Sequence, residues 1–205
     1  MIRAAALIVL FGLALRSASF GREGGLLQEN CDEKEAKTVL GQFNRSYGMG
    51  RDDEGKREGA ISLIRQKMHG ILLDRLIEVG KAERSVKVRA AVAEALGEYR
   101  KSEKAAETLA LWLRKDQLKE ENYLLAQRCL QALGSLAPEV GRKQIEKVND
   151  WFDFRDGGSA KAAVMAAGAL RDKSSIEPLI AEMQRCQRDM LKFIVGEKID
   201  GCDGG

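Results

Sequence analysis

One ten-residue pattern recurs at a fixed spacing and limits what this chain can fold into. The segment 88-VRAAVAEALG-97 is followed 37 residues later by 125-LAQRCLQALG-134, and after another 37 residues by 162-AAVMAAGALR-171. Each segment combines small residues with larger apolar residues at helical spacing. Because such a helix buries its apolar face only against similar helices, the spacing predicts a row of repeated helical units.

Alignment of the three segments places similar residues at the same positions of the repeat. One position is always alanine, one is always leucine, and two hold a mixture of apolar residues. The columns are Val88, Leu125 and Ala162; Val92, Cys129 and Ala166; Ala95, Ala132 and Ala169; and Leu96, Leu133 and Leu170. Alanine lets two helices approach closely, and leucine fills the gap between successive layers. We therefore expect stacked hairpins that share one continuous core.

The first copy of this pattern resembles the run VR-x-x-A-x-x-A-L-G of HEAT repeats, in particular the short bacterial HEAT-like form. The later copies depart from it, since Arg89 becomes Ala126 and Ala163, and Gly97 becomes Arg171. The resemblance covers roughly residues 52 to 188 and implies an all-α fold, a short right-handed α-solenoid of about four HEAT-like hairpins. HEAT-like arrays serve as scaffolds, adaptors, regulators and, in some branches, bilin-attaching lyases.

The first half of the chain predicts helices and no strands. Two prolines and 5% aromatic residues favour helix over strand. Helical periodicity predicts a helix over 33–47, and a second run over 53–81 that Gly70 either splits into two helices or only weakens. Ser85 and Ser102 are predicted to cap the next two helices.

The second half predicts two further hairpins. A helix is predicted over 120–133, and its partner runs from Pro138, in a first turn, to Phe152. Ser159 is predicted to cap the following helix, and the last helix is expected to start near Ser175.

The N-terminus has the layout of a secretory signal peptide. Arg3 precedes an uncharged apolar run of 12 residues, 4-AAALIVLFGLAL-15, and small residues follow it. That run spans only about 18 Å as a helix, too short for a stable membrane span, so we expect a secreted or periplasmic protein. The predicted organisation is a signal peptide (1–19), a flexible lead-in (20–32), an N-terminal helix and its stop (33–50), the HEAT-like repeat array (51–196) and a tail (197–205).

The net charge after processing excludes one class of partner. Residues 20–205 hold 32 basic and 31 acidic residues, which is close to neutral. A nucleic-acid-binding protein normally carries a clear basic excess. We therefore expect no nucleic-acid partner.

The inventory of reactive residues predicts no enzyme, cofactor or metal site. His69 is the single histidine and has no companions for a triad or a zinc site. The acidic residues 52–54 are predicted to cap a helix. Four cysteines permit two disulfides in three connectivities, but Cys129 falls in a core column. The one bridge that we consider joins Cys186 to Cys202.

These features predict a non-enzymatic scaffold that binds a protein partner. In HEAT-like arrays the second helix of each hairpin lines the concave side, and the basic residues on these helices suggest an acidic partner. The basic candidates for partner binding are Arg114, Lys115, Arg142, Lys143, Lys147, Arg185 and Arg188.

An aromatic group near the third hairpin has two interpretations. Trp151, Phe154 and Arg155 either form an exposed contact patch, because Trp and Arg are common interface anchors, or simply pack in the core. The alternative function is a lyase or cofactor-attachment factor of the bilin-lyase type, against which export argues.

Overall fold

The computed structural model describes residues 29–113, 122–154 and 156–194, with side chains through residue 189. Every regular element in these residues is a helix, so the expected all-α class is confirmed there. The α-helices are α1 (Glu33–Met49), α2 (Glu54–Arg65), α3 (Gly70–Ala82), α4 (Val86–Gly97), α5 (Glu103–Trp112), α6 (Tyr123–Ser135), α7 (Pro138–Gly141), α8 (Ile145–Asn149), α9 (Gly157–Leu170) and α10 (Ile176–Ile194). Short 3₁₀ turns, Arg142–Gln144 and Lys173–Ser175, precede α8 and α10.

Polar side chains start most of these helices. Asp32, Asp53, Ser85 and Ser102 each accept a hydrogen bond from a backbone N–H in the first turn of the helix that follows. Such a cap satisfies a donor that has no partner within the helix. The predicted caps at Ser85 and Ser102 and the capping role of residues 52–54 are therefore confirmed.

The run over 53–81 forms two helices, which resolves the alternative left open by Gly70. The break is held by the residues before α1, since the Met68 N–H donates to Asn30 Oδ1 at 2.6 Å. The backbone N–H of Asn30 donates in return to the Met68 carbonyl at 3.1 Å. His69 then caps α3, because its Nδ1 accepts the Ile71 N–H at 3.2 Å. The histidine has a structural role.

The helices contact one another in chain order. In one row, α2 contacts α4, α4 contacts α6 and α6 contacts α9, and the last two contacts are the most extensive in the described chain. In a second row, α3 contacts α5 and α5 contacts α7. All residues of the four repeat columns are buried except Ala169. The buried side chains form one cluster that extends from Ala36 to Leu170, as the repeat predicts.

The last copy of the repeat is shifted by about one helical turn. A Cβ at Gly97 would lie 3.0 Å from the Cβ of Ala132, whereas one at Gly134 would lie 2.8 Å from the Cα of Ala166. Because a 37-residue step from Ala132 leads to Ala169, the contact has moved three residues towards the start of α9.

The shift in α9 also moves its N-cap. Ser159 was predicted to cap this helix, but it lies buried inside it, and Asp156 is the cap. Asp156 Oδ2 accepts the Ser159 N–H at 2.8 Å and the amide of Gln127 at 2.9 Å. A carboxylate that two helices satisfy together displaces the weaker hydroxyl cap.

The continuous helix predicted from Pro138 to Phe152 is broken. The chain instead forms α7, a 3₁₀ turn and α8. Gly141 lies at the break, where a Cβ would come within 2.3 Å of Leu170 Cδ2 and 3.1 Å of the Leu133 carbonyl oxygen. The missing side chain lets the break pack directly on α6 and α9, and glycine also weakens a helix.

The same substitution should have opposite effects at two helical glycines. Gly134→Ala should destabilise the fold by about 1–3 kcal/mol, because its Cβ would meet the backbone of α9. Gly168→Ala should stabilise it by up to about 1 kcal/mol, since nothing lies within 4 Å of that Cβ and alanine is the better helix former. Urea denaturation measures both. Equal effects would contradict the close contact between α6 and α9.

Candidate interaction surface

Lys143, one of the predicted partner-binding lysines, forms an ion pair within the chain. Lys143 Nζ lies 2.6 Å from Glu103 Oε1, and both side chains are more than half exposed. One hairpin earlier, Lys104 Nζ lies 2.6 Å from Asp74 Oδ1. These ion pairs join successive hairpins across the surface. The second row therefore presents linked charges of both signs rather than a basic strip.

Arg142, another predicted partner-binding residue, donates its hydrogen bonds to the end of α9. Its Nε donates to the carbonyl of Leu170 at 2.7 Å, and its Nη2 donates to the carbonyl of Arg171 at 3.1 Å. These carbonyls end α9 and have no partner inside that helix. Arg142 thus joins the break after α7 to the end of α9, and sequence spacing alone gave no sign of this role.

The remaining basic candidates differ in availability. Lys147 and Arg188 are exposed, and neither forms an ion pair with a described residue. Arg185 lies along α10 and pairs with Glu182 and Asp189 of the same helix. Three further candidates lie outside the described residues, namely Arg114, Lys115 and Arg155.

The aromatic group packs chiefly inward. Trp151 is fully buried, and its ring centroid lies 4.5 Å from that of Phe154. Phe154 is half-buried and makes an edge-to-face contact with Tyr123 at 5.3 Å. The cluster closes the third hairpin by joining the start of α6 to the segment after α8. Trp151 is not available as an exposed anchor.

A ladder of charges that sequence reasoning missed runs along the first row. Glu94 of α4 pairs with Arg65 of α2 at 3.3 Å and with Arg128 of α6 at 3.0 Å. Arg65 also pairs with Glu98 at 2.8 Å. The 34-residue step from Glu94 to Arg128 lies close to the repeat length, and this spacing is the sequence signal from which the contact could have been found.

The most buried ion pair among the described residues joins the α1–α2 turn to the α3–α4 turn. Arg57 Nε donates to Glu83 at 3.0 Å, and the two side chains are only 13% and 7% exposed. Arg57 also donates to the carbonyls of Gly50 and Arg51, and Glu83 accepts the hydroxyl of Tyr47. Every partner in this cluster is itself part of the fold, so the cluster is a structural clasp between the α1–α2 and α3–α4 turns.

The clasp sets the protonation of its members. Burial alone would raise the pKa of Glu83, but the hydrogen bonds from Tyr47 and the Ser85 N–H, with the charge of Arg57, bring it below its ordinary value. Burial and the neighbouring Glu83 raise the pKa of Tyr47. At neutral pH the clasp therefore consists of a carboxylate, a guanidinium and a neutral phenol.

Two of the thiols in the described residues have a raised pKa. Burial raises the pKa of Cys129 and of Cys31, so both thiols are held in the unreactive protonated form. No group of three metal-ligating side chains comes together in that part of the chain. Cys186 lies on α10, whereas Cys202 lies outside the described residues, and their bridge stays a prediction.

Comparison with known proteins gives no family. No family model matches the chain, and it matches neither a curated protein nor a solved structure. Within the described residues, no helix combines the length and the apolar character needed to cross a membrane.

Removal of the buried carboxylate should produce a pH-dependent loss of stability. Glu83→Gln leaves Arg57 without its counter-charge and should cost about 3 kcal/mol near neutral pH. Because the folded-state pKa of Glu83 lies below its ordinary value of 4.5, its contribution is fully present above that value and disappears as the pH falls through the folded-state pKa. Urea denaturation at a series of pH values should therefore show the difference between wild type and variant shrinking in acid.

The matched control is Glu78→Gln on α3, the helix that ends just before Glu83. Glu78 is 66% exposed and pairs with Arg75 at 3.0 Å. This change should cost about 0.5 kcal/mol or less. Similar losses for the two variants would mean that Glu83 is not the centre of a buried clasp.

Proposed function

We propose that the chain is an exported interaction module that binds a protein partner and performs no chemistry of its own. In this proposal the hairpins form a short right-handed α-solenoid of the HEAT-like kind. The observation that supports it most is the series of contacts between helices: α2 contacts α4, α4 contacts α6, and α6 contacts α9, along one continuous core. Such a row exposes an extended surface, which suits the binding of another macromolecule.

The proposed binding side is the second row (α3, α5 and α7) together with the 3₁₀ turn and α8, which continue the chain directly after α7. Its exposed charges include Glu103, Lys104, Lys143 and Lys147. Three of these take part in ion pairs between hairpins, whereas Lys147 is exposed and forms no ion pair with a described residue. A partner with acidic groups opposite Lys147 and mixed charges elsewhere would complement this surface. Exposed ion pairs contribute little to folding, so exchanging them for intermolecular pairs costs little.

Site-specific cross-linking in the native cells tests the binding side. A photo-reactive amino acid in place of Lys147 should give a discrete product with a different protein. The matched control is Lys87, an exposed lysine on α4 in the first row, where the same probe should give no such product. A product at position 87 and none at position 147, or a product with the chain itself alone, would refute the proposed side.

Export has its own test. If residues 1–19 are a cleaved signal peptide, the mature protein should begin near Phe20 or Arg22, and its intact mass measures this directly. Recovery of the chain with Met1 from the soluble cytoplasm would show that export is not its route.

A further inference from the structure

The helix α10 exposes an apolar stripe that the described residues leave uncovered. Ile176, Ile180 and Met183 are 53%, 43% and 67% exposed. Their spacing of four and three residues places them on one face of the helix. Leu179 packs against the core, but α10 makes extensive backbone contact only with the 3₁₀ turn that precedes it.

An amphipathic helix in this position needs a partner for its apolar face. The stability of helices in proteins comes mainly from packing of that face rather than from helix propensity. Of the nine exposed large apolar side chains in the described residues, five lie on α9 and α10. Concentration of exposed apolar surface at one end marks an interaction site.

The charges beside the stripe indicate what that partner is. Glu177 and Arg188 are both exposed, and neither forms an ion pair with a described residue. They are 11 residues apart, close to three full turns at about 3.6 residues per turn, so they lie along the same edge of the stripe, about 16 Å apart. One edge therefore carries a negative charge near its start and a positive charge near its end.

The helix dipole accounts for only one of these charges. A carboxylate in the first turn, such as Glu177, is stabilised by the helix N-terminus. The corresponding effect at the C-terminus acts within the last turn, and Arg188 lies six residues before Ile194. The helix dipole therefore does not stabilise Arg188.

This arrangement is self-complementary. When two identical helices pack antiparallel about a two-fold axis, an edge of one helix lies beside the same edge of the other. The two edges then run in opposite directions. Glu177 of either copy then lies at the level of Arg188 of the other, and Met183 lies beside the axis. We propose that two copies of this chain associate by antiparallel pairing of α10, which buries Ile176, Ile180 and Met183 and forms two Glu177–Arg188 ion pairs.

Sedimentation of the full mature chain across the micromolar range tests the pairing. Wild type should show a concentration-dependent dimer. Met183→Glu should abolish it, because two like charges would be buried together beside the axis. Met49→Glu is the matched control, since Met49 is 76% exposed at the end of α1 and is not part of the α10 stripe, and this variant should still dimerise. Circular dichroism should show the same helix content for all three.

Exchange of the charges at positions 177 and 188 distinguishes pairing of two copies from coverage of the stripe by any other partner. Glu177→Arg and Arg188→Glu should each weaken the dimer about five- to tenfold, because each sets like charges opposite each other twice. An equimolar mixture of the two variants should dimerise as well as wild type, because both ion pairs re-form between the unlike chains. The double variant Glu177→Arg/Arg188→Glu should do the same.

Three results would contradict the pairing of α10. A wild-type chain that stays monomeric, as it would if its own tail or a different protein covered the stripe, overturns the proposal. So does a dimer that survives Met183→Glu, or a mixture of the single variants that associates no better than each variant alone. Recovery in the mixture supports it.

Discussion

The close approach of α4, α6 and α9 is the constraint on which the rest of the described structure depends. Small residues make it possible, since Gly97 lies against Ala132 and Gly134 lies against the backbone of α9. The leucines of the repeat fill the space on either side and are fully buried. At such separations a single methyl group matters, because protein interiors are packed as densely as organic crystals. The position of each hairpin is therefore set by its neighbour.

The close approach leaves the outer surfaces to charged side chains, which join one hairpin to the next. Glu94 contacts both Arg65 and Arg128, and the second row has similar links at Lys104 and Lys143. Each exposed pair contributes about 1 kcal/mol or less, so these pairs do not hold the fold together. Their regular spacing follows from the packing beneath them. A surface of this kind is free to exchange partners, which is what the proposed interaction module requires.

Features that depend on local sequence could be predicted, and features that depend on the neighbouring helix could not. The all-helical class, the repeat columns and the caps at Ser85 and Ser102 follow from periodicity and from the chemistry of a helix start. The capping aspartate of α9 could not be chosen over Ser159 without Gln127 of another helix. The break after α7 likewise depends on Leu170, which lies far away in sequence.

The candidate binding residues were harder to assign for the same reason. Residue type and helical position made Arg142 and Trp151 candidates for partner contact. In the structure, Arg142 donates hydrogen bonds to the end of α9, and Trp151 is buried. Charge counts also cannot reveal which lysines are paired across hairpins. The exposed stripe of α10 was visible in the sequence as helical periodicity, yet periodicity alone does not distinguish a face that its own chain covers from one that it leaves open.

The geometry at α9 determines how the row can be extended. Gly97 and Gly134 admit the following helix, and the three-residue shift of α9 puts Gly168 in the equivalent position, where no atom of another described helix lies within 4 Å of an added Cβ. A further helix can therefore be placed on α9 in the way that α9 is placed on α6. Copies of the chain added in that way would form an open, head-to-tail series, with the risk of filaments. The proposed antiparallel pairing through α10 avoids this problem, because a two-fold contact uses the same surface on each copy and closes after two.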